Sequence, residues 1–163
     1  MLKSTIRAIR RLLDEQRLLA LAVIDESGGP YAGLLPFAVL PDHRSVLIHA
    51  SRMARHSQGL AAGARVGILL HEQDGPDKDP LQIERATFEC SVYPFERHSE
   101  DWTAARDIFL QRFPDSRITF RLGDFTLYRL EFERGLYVGG FGRAVEIQPE
   151  DVVRLAESGA VGD

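Results

Sequence analysis

The sequence predicts a mainly β domain with flanking helices (α+β), built as an antiparallel barrel of closed or split form. Three observations lead there. Short apolar runs succeed one another in mostly hairpin-like order, six or seven in all, with turn residues between them. Helical patterns are interposed too irregularly for a doubly wound parallel sheet. With 163 residues, 44% hydrophobic and 27% charged, the chain has the size and composition of one globular domain spanning 1–163, and no repeat or linker divides it.

Residues 2–17 read as an amphipathic helix with Leu2, Ile6, Ile9, Leu12 and Leu13 on one face. Its arginines and Lys3 lie elsewhere, so it is expected to pack on a sheet. Residues 18–25 and 31–40 form a hairpin about the turn formers Glu26-Ser27-Gly28-Gly29-Pro30. A strand over 46–50, a helix over 54–62 and a strand over 64–71 follow. The aspartates of the polar loop 72–80 lack calcium-loop spacing and are turn formers.

A long strand over 84–97 places Ala86, Phe88, Cys90 and Val92 on one face. Ser99 then caps a helix whose first turn carries Glu100 and Asp101, as the helix dipole prefers, and which Pro114 stops. Strand character resumes over 124–132 and 136–138, with a further candidate over 141–147. Pro149 starts a terminal helix over 150–157, the beginning of a C-terminal helix and tail spanning 149–163.

Composition excludes several classes. A net charge of −4 and a pI near 5.7 argue against nucleic acid as the main partner, and no apolar stretch is long enough to span a bilayer. The N-terminus lacks a signal-peptide run, so a cytoplasmic location is expected. Cys90 is the single cysteine, expected as a small buried thiol. The five histidines show no HxxxH or HExxH spacing, so no metal site is expected. Ser51 and His56 could be drawn into a hydrolase triad, but no G-x-S-x-G elbow is present. Glu84 and Glu89 would face opposite sides of a strand and make a poor acid–base pair.

Two segments could carry chemistry. Ser51-Arg52-Met53-Ala54-Arg55-His56-Ser57 lies where a strand gives way to a predicted helix. Unpaired N–H groups and the positive end of the helix dipole would meet two guanidinium forks, one imidazole and two hydroxyls there, a set suited to phosphate. The other reading is a helix capped by Ser51 with solvated charges, which on spacing alone is the commoner arrangement. Gly139-Gly140-Phe141-Gly142-Arg143 has three glycines in four positions, allowing positive φ or close approach of another surface. It is equally a bulge or tight turn between strands.

Taken in order, S-R-x-x-R-H-S, Asp79-Pro80-Leu81, G-D-F-x-L-Y-R-L and Y-V-G-G-F-G-R-A resemble the FMN-binding split-barrel superfamily. Within it, the chain is similar to the pyridoxamine 5′-phosphate oxidase-like branch that includes haem-utilisation proteins. The matching segments are 31–37, 51–60, 79–81, 123–130 and 137–144. The resemblance implies an antiparallel split barrel and a homodimer with FMN in symmetric interface clefts. It places Ser51, Arg52, Arg55, His56 and Ser57 at the FMN phosphate and Pro36 and Phe37 on the strand beside the flavin. Gly140, Phe141, Gly142 and Arg143 fall near the cleft, offered by the partner subunit.

The resemblance implies a flavoprotein of the oxidoreductase type in which the cofactor carries the chemistry on an unknown small-molecule substrate or electron acceptor. No side chain is an evident acid–base catalyst. Pyridoxamine phosphate oxidase activity itself is not expected, because residues 157–163 lack the arginine and histidine that grip its substrate. The additional C-terminal domain of many haem-utilisation members is not seen either. Two other readings stay open: a haem-binding or haem-degrading protein on the same fold, and a non-enzymatic flavin-binding module.

Overall fold

The computed structural model describes residues 1–157. Helix α1, Lys3–Glu15, follows its apolar period: Ile6, Ile9, Leu12 and Leu13 are all buried in the main core. Leu2, predicted on that face, precedes the first turn and is exposed. Strands β1, Leu18–Ile24, and β2, Pro30–Val39, pair as the expected hairpin, from Ile24↔Pro30 to Leu18↔Pro36. In the turn, Asp25 Oδ1 accepts the N–H groups of Ser27 and Gly29 at 3.0 Å each, and Gly28 takes φ +80°.

Strand β3, Ser45–Ser51, is apolar on both faces because both are covered. Val46, Ile48 and Ala50 enter the main core, while Leu47 enters a second cluster under a helix. The helix predicted over 54–62 is not formed. A 3-10 turn, Arg55–Gly59, stands in its place. The physical reason lies at Gly59, where an added Cβ would sit 2.5 Å from Val23 Cβ. The chain is drawn tightly onto β1, Leu60 is buried, and Gly63 at φ +76° reverses direction before another helical turn can form.

Strands β4, Arg65–His71, and β5, Arg85–Pro94, are antiparallel neighbours, and the face of Ala86, Phe88, Cys90 and Val92 points into the core as read from the sequence. Cys90 is fully buried, and burial pushes its thiol pKa up, so it is an inert core residue. Helix α2, Glu100–Arg112, begins at Ser99, whose hydroxyl accepts the Trp102 N–H at 3.1 Å. Beyond Pro114 the chain forms one further short helix, α3, Arg117–Arg121, which the sequence reading did not foresee.

Strand β6, Phe125–Val138, runs unbroken through the polar Glu133-Arg134-Gly135 where two strands were predicted. Its backbone passes so close to β5 that a Cβ on Gly135 would lie 2.1 Å from Thr87 O, beside a register shift at Glu89/Cys90. Strand β7 is shorter than predicted, Ala144–Ile147, since 140–143 form the hairpin turn. Helix α4, Pro149–Glu157, packs on α1 and β6. The predicted tail, 158–163, lies outside the described residues.

The strand order β3-β2-β1-β4-β5-β6-β7, with β3 also pairing β6, closes six strands into an antiparallel barrel and leaves β7 outside it. Closure is uneven. β3 pairs with β6 at seven positions but with β2 at only three, Phe37 to Val39. The N-terminal half of β2 therefore diverges from β3, and the 3-10 turn packs into this split against β1 and β2. Outside the barrel, Trp102, Ala105, Phe109 and Phe120 join Ala38, Leu47 and Leu127 in the second core.

Candidate functional site

At the split, the segment Ser51 to Ser57 folds into a corner held by its own polar groups. Ser51 Oγ donates to Asp124 Oδ2 at 2.7 Å and accepts the Met53 N–H at 3.1 Å. Ser57 Oγ donates to Ser51 O at 2.6 Å. Both hydroxyls that the sequence offered to a ligand thus serve the corner itself. Arg52 is exposed, and one of its terminal nitrogens donates to Gly123 O at 2.9 Å, leaving the rest of the fork open to solvent.

Arg55 is differently placed. Its guanidinium donates twice to Asp25 Oδ2, from Nε at 3.1 Å and a terminal nitrogen at 2.7 Å, and lies 4.8 Å over the Tyr31 ring. Asp25 is buried, and hydrogen bonds from Ser27 and Arg55 hold its carboxyl well below the ordinary carboxylate range. Asp25 was not singled out in the sequence; an aspartate opening a Ser-Gly-Gly-Pro turn is a local signal for the turn, not for its partner thirty residues on.

His56 points into the split against Gly33, where an added Cβ would meet Nδ1 at 3.1 Å. Burial lowers its pKa, so the ring is neutral at pH 7, and its Nε2 is buried with no hydrogen-bond partner. An orphaned buried nitrogen is costly unless a ligand or water meets it. His56 and the free edge of Arg52 are the groups of this corner that fit the phosphate of FMN. The five-residue 3-10 turn supplies little of the dipole expected from a helix.

The remaining candidates lie apart from the corner. On β2, Pro36 is exposed, whereas Phe37 is fully buried beneath the Arg112 guanidinium, 5.4 Å from its ring centroid. The Phe37 N–H donates to Arg17 O at 3.2 Å, so neither its ring nor its N–H is open to a ligand. Gly140, Phe141, Gly142 and Arg143 form the tip of the β6–β7 hairpin, with φ +118° at Gly140 and +74° at Gly142. The Phe141 N–H donates to Gln82 Oε1 at 3.2 Å, and the Phe141 ring is 72% exposed. The turn is held by Gln82, not by the corner.

A second surface was not read from the sequence. On the outer face of the barrel, cross-strand neighbours form one row, Leu34, Ala20, Leu69, Thr87 and Leu136, and beside it another, Ala32, Ala22, Gly67, Glu89 and Arg134. The first two strands of this strip present small or apolar side chains to solvent, and Leu34 and Ile24 are 68% and 60% exposed. At its border Arg65 and Arg134 both donate to Glu89 at 3.0 Å. The signal was present in Leu-Leu-Ala-Leu-Ala-Val-Ile, a strand without polar alternation and therefore apolar on both faces. The strip is thus flat and apolar on β1 and β2, with the Arg65–Glu89–Arg134 ion pairs at its border.

A six-stranded antiparallel barrel with a basic turn wedged in its split defines the split-barrel class to which flavin- and haem-utilising proteins belong. Residues 5–139 match the family model described as pyridoxamine 5′-phosphate oxidase. The chain belongs to that family. It is 33% identical over 146 residues to the haem oxygenase HutZ of Vibrio cholerae, covering 89% of this chain and 82% of HutZ. The crystal structure of HutZ, described there as a haem storage protein, superposes with a TM-score of 0.73 at 31% identity over 83% of this chain and 95% of that one. A haem-binding protein from Mycobacterium smegmatis and ChuZ from Campylobacter jejuni share the fold, each with a TM-score of 0.81, at 23% and 19% identity. They cover 94% and 93% of this chain, which spans 62% of each of theirs. Among the described residues no helix is long and apolar enough to cross a membrane.

Proposed function

We propose that this protein binds haem in a cleft completed by a second copy of the chain, the outer strip of β1, β2 and β4 forming the shared face. The observation that carries this reading is the 33% identity to a haem oxygenase over 89% of the chain. The strip supports it physically. Exposed apolar residues side by side on a sheet are unfavourable in water, which favours covering them with a second copy. Haem needs a flat apolar wall for its ring and cationic groups for its propionates; Ala20, Ala22, Ala32 and Leu69 supply the first, and Arg65 and Arg134, which share the Glu89 carboxylate, are the cations at its border. Bound haem would supply an iron centre for storage or oxygen chemistry. The lining of the strip contains neither histidine nor methionine, so an axial ligand would come from elsewhere in the assembly.

Flavin binding is the second reading, favoured by the unpartnered Nε2 of His56 beside the split. One experiment separates the two: absorption spectra of the purified protein titrated in parallel with haemin and with FMN. A saturating Soret band at one haem per chain, with no flavin uptake, is the expected result. Uptake of FMN with no Soret change transfers the function to the flavin reading, and the absence of both spectra overturns both.

A further inference from the structure

On the far side of the second core, α2, α3 and the β5–α2 connection line an open cleft of about 600 Å³. It shares no residue with the Ser51–Ser57 corner or with the outer strip. Its walls carry Arg97, Arg106, Arg117, Arg121 and His98, and its apolar floor includes Trp102. Asp107 is the one carboxylate among the lining residues. Four arginines thus line one concavity of a protein whose formal charge is −4.

Two of these guanidiniums are fixed in place. Arg97 donates to Phe120 O at 3.0 Å and Leu122 O at 3.2 Å, which holds its fork against the end of α3. Arg106 lies 5.3 Å over the Trp102 ring and donates to Asp107 at 2.7 and 3.0 Å. The other two, Arg117 and Arg121, are exposed, stand one helical turn apart on α3, and have no hydrogen bond or ion pair among the described residues. Like charges at this spacing repel and mildly destabilise a helix. At the rim, His98 takes φ +70°, a conformation that costs energy for a non-glycine residue, and stands edge-on to Trp102 at 5.2 Å.

We propose that this cleft binds a phosphorylated small molecule, its phosphate oxygens held by Arg117 and Arg121 and its body resting on the Trp102 side of the floor. Planar guanidinium forks match phosphate oxygens in pairs, and Arg117 and Arg121 are the two of this cleft whose forks are not already engaged. The volume fits a nucleotide or sugar phosphate, whereas the acidic protein as a whole repels a nucleic-acid strand.

Trp102 is the single tryptophan, so its fluorescence reports on this cleft alone. The test titrates the protein with inorganic pyrophosphate at constant ionic strength and follows Trp102 emission. The expected result is a saturable change that weakens about tenfold or more in Arg117→Ala/Arg121→Ala, the loss expected from charge-assisted contacts, and persists in Arg52→Ala. Arg121→Gln alone, with a matched thermal midpoint, should weaken binding in the same direction and excludes a folding defect. No saturable change overturns the proposal, as does a change reproduced by chloride. Loss of binding in Arg52→Ala with retention in the double variant also overturns it, as does tighter binding of a single-stranded oligonucleotide.

Discussion

Asp25 and Arg55, thirty residues apart, tie the β1–β2 turn to the segment that fills the barrel split. The carboxylate divides its oxygens: Oδ1 accepts from the turn, and Oδ2 accepts both nitrogens of Arg55. One buried side chain therefore sets both the end of a hairpin and the position of His56 next in sequence.

Asp25→Asn is expected to lower the thermal midpoint at neutral pH. The folded-state pKa of Asp25 is depressed, so its stabilisation is present above the unfolded carboxylate value and is lost as pH falls towards the folded one. Wild-type stability should therefore decline on acidification below about pH 4, and the variant should decline less. Thermal melts from pH 7 to pH 2.5 check this, and parallel curves for the two proteins would refute it.

His49 gives a second pH dependence. Its Nδ1 is 3.2 Å from Thr119 Oγ1, which donates to Ser116 O, so the ring carries its proton on Nδ1, and it stacks on Phe120 at 3.7 Å. Burial, then the charge of Arg97, lowers its pKa from 6.5 to about 4. Between those values the unfolded chain takes up a proton that the folded chain refuses, so stability falls as pH drops through this window. The slope is at most about 1.4 kcal/mol per pH unit. His49→Phe keeps the stack and should flatten urea midpoints between pH 6.5 and pH 4.

Gly59→Ala should destabilise the protein by about 1–3 kcal/mol, the usual cost of overpacking. The new methyl would meet Val23 Cβ at 2.5 Å and Ile24 O at 2.9 Å. Chemical denaturation measures the loss. An unchanged midpoint would mean that the 3-10 turn moves off β1 without cost.

Leu34→Glu tests the shared face. Leu34 is 68% exposed in the single chain, so the change should leave the thermal stability of an isolated copy within about 0.5 kcal/mol. Placed against a second copy, the charge should break the assembly, seen as a halved mass in sedimentation, and should reduce haem uptake with it. A variant that sediments as the wild type removes this face from the interface.

Arg52→Ala bears on flavin. Under that reading it should weaken FMN by about tenfold or more while leaving riboflavin binding intact, since only FMN carries the phosphate. Arg55→Ala should instead weaken both ligands together, because it releases Asp25 and the turn with it. Isothermal titration of the two flavins with each variant reads the difference.

Strands and the core face of α1 were legible because their signals are local: Ala86, Phe88, Cys90 and Val92 alternate, and Ile6, Ile9, Leu12 and Leu13 share one helical face. The barrel closure is not local, since β3 meets β6 across more than seventy residues. The same distance hid the partners of the corner. Ser51 and Arg55 looked available for a ligand until the fold brought Asp124 and Asp25 to them. Helix α3 escaped notice because Pro114 was read as a stop, and five residues are too few to show a period. The outer strip was missed because Leu18 to Ile24 has no polar alternation to mark which of its side chains face outward.

Ring closure also governs how the chain meets others of its kind while concentrated or freshly folded. Six strands have neighbours on both sides over part or all of their length, and β7, outside the barrel, offers a free edge of only four residues ending just before Pro149. So short an edge, with Glu146 on it and proline behind it, is a poor template for adding a foreign strand. Protection against runaway sheet growth is thus built into the same closure that opens the split.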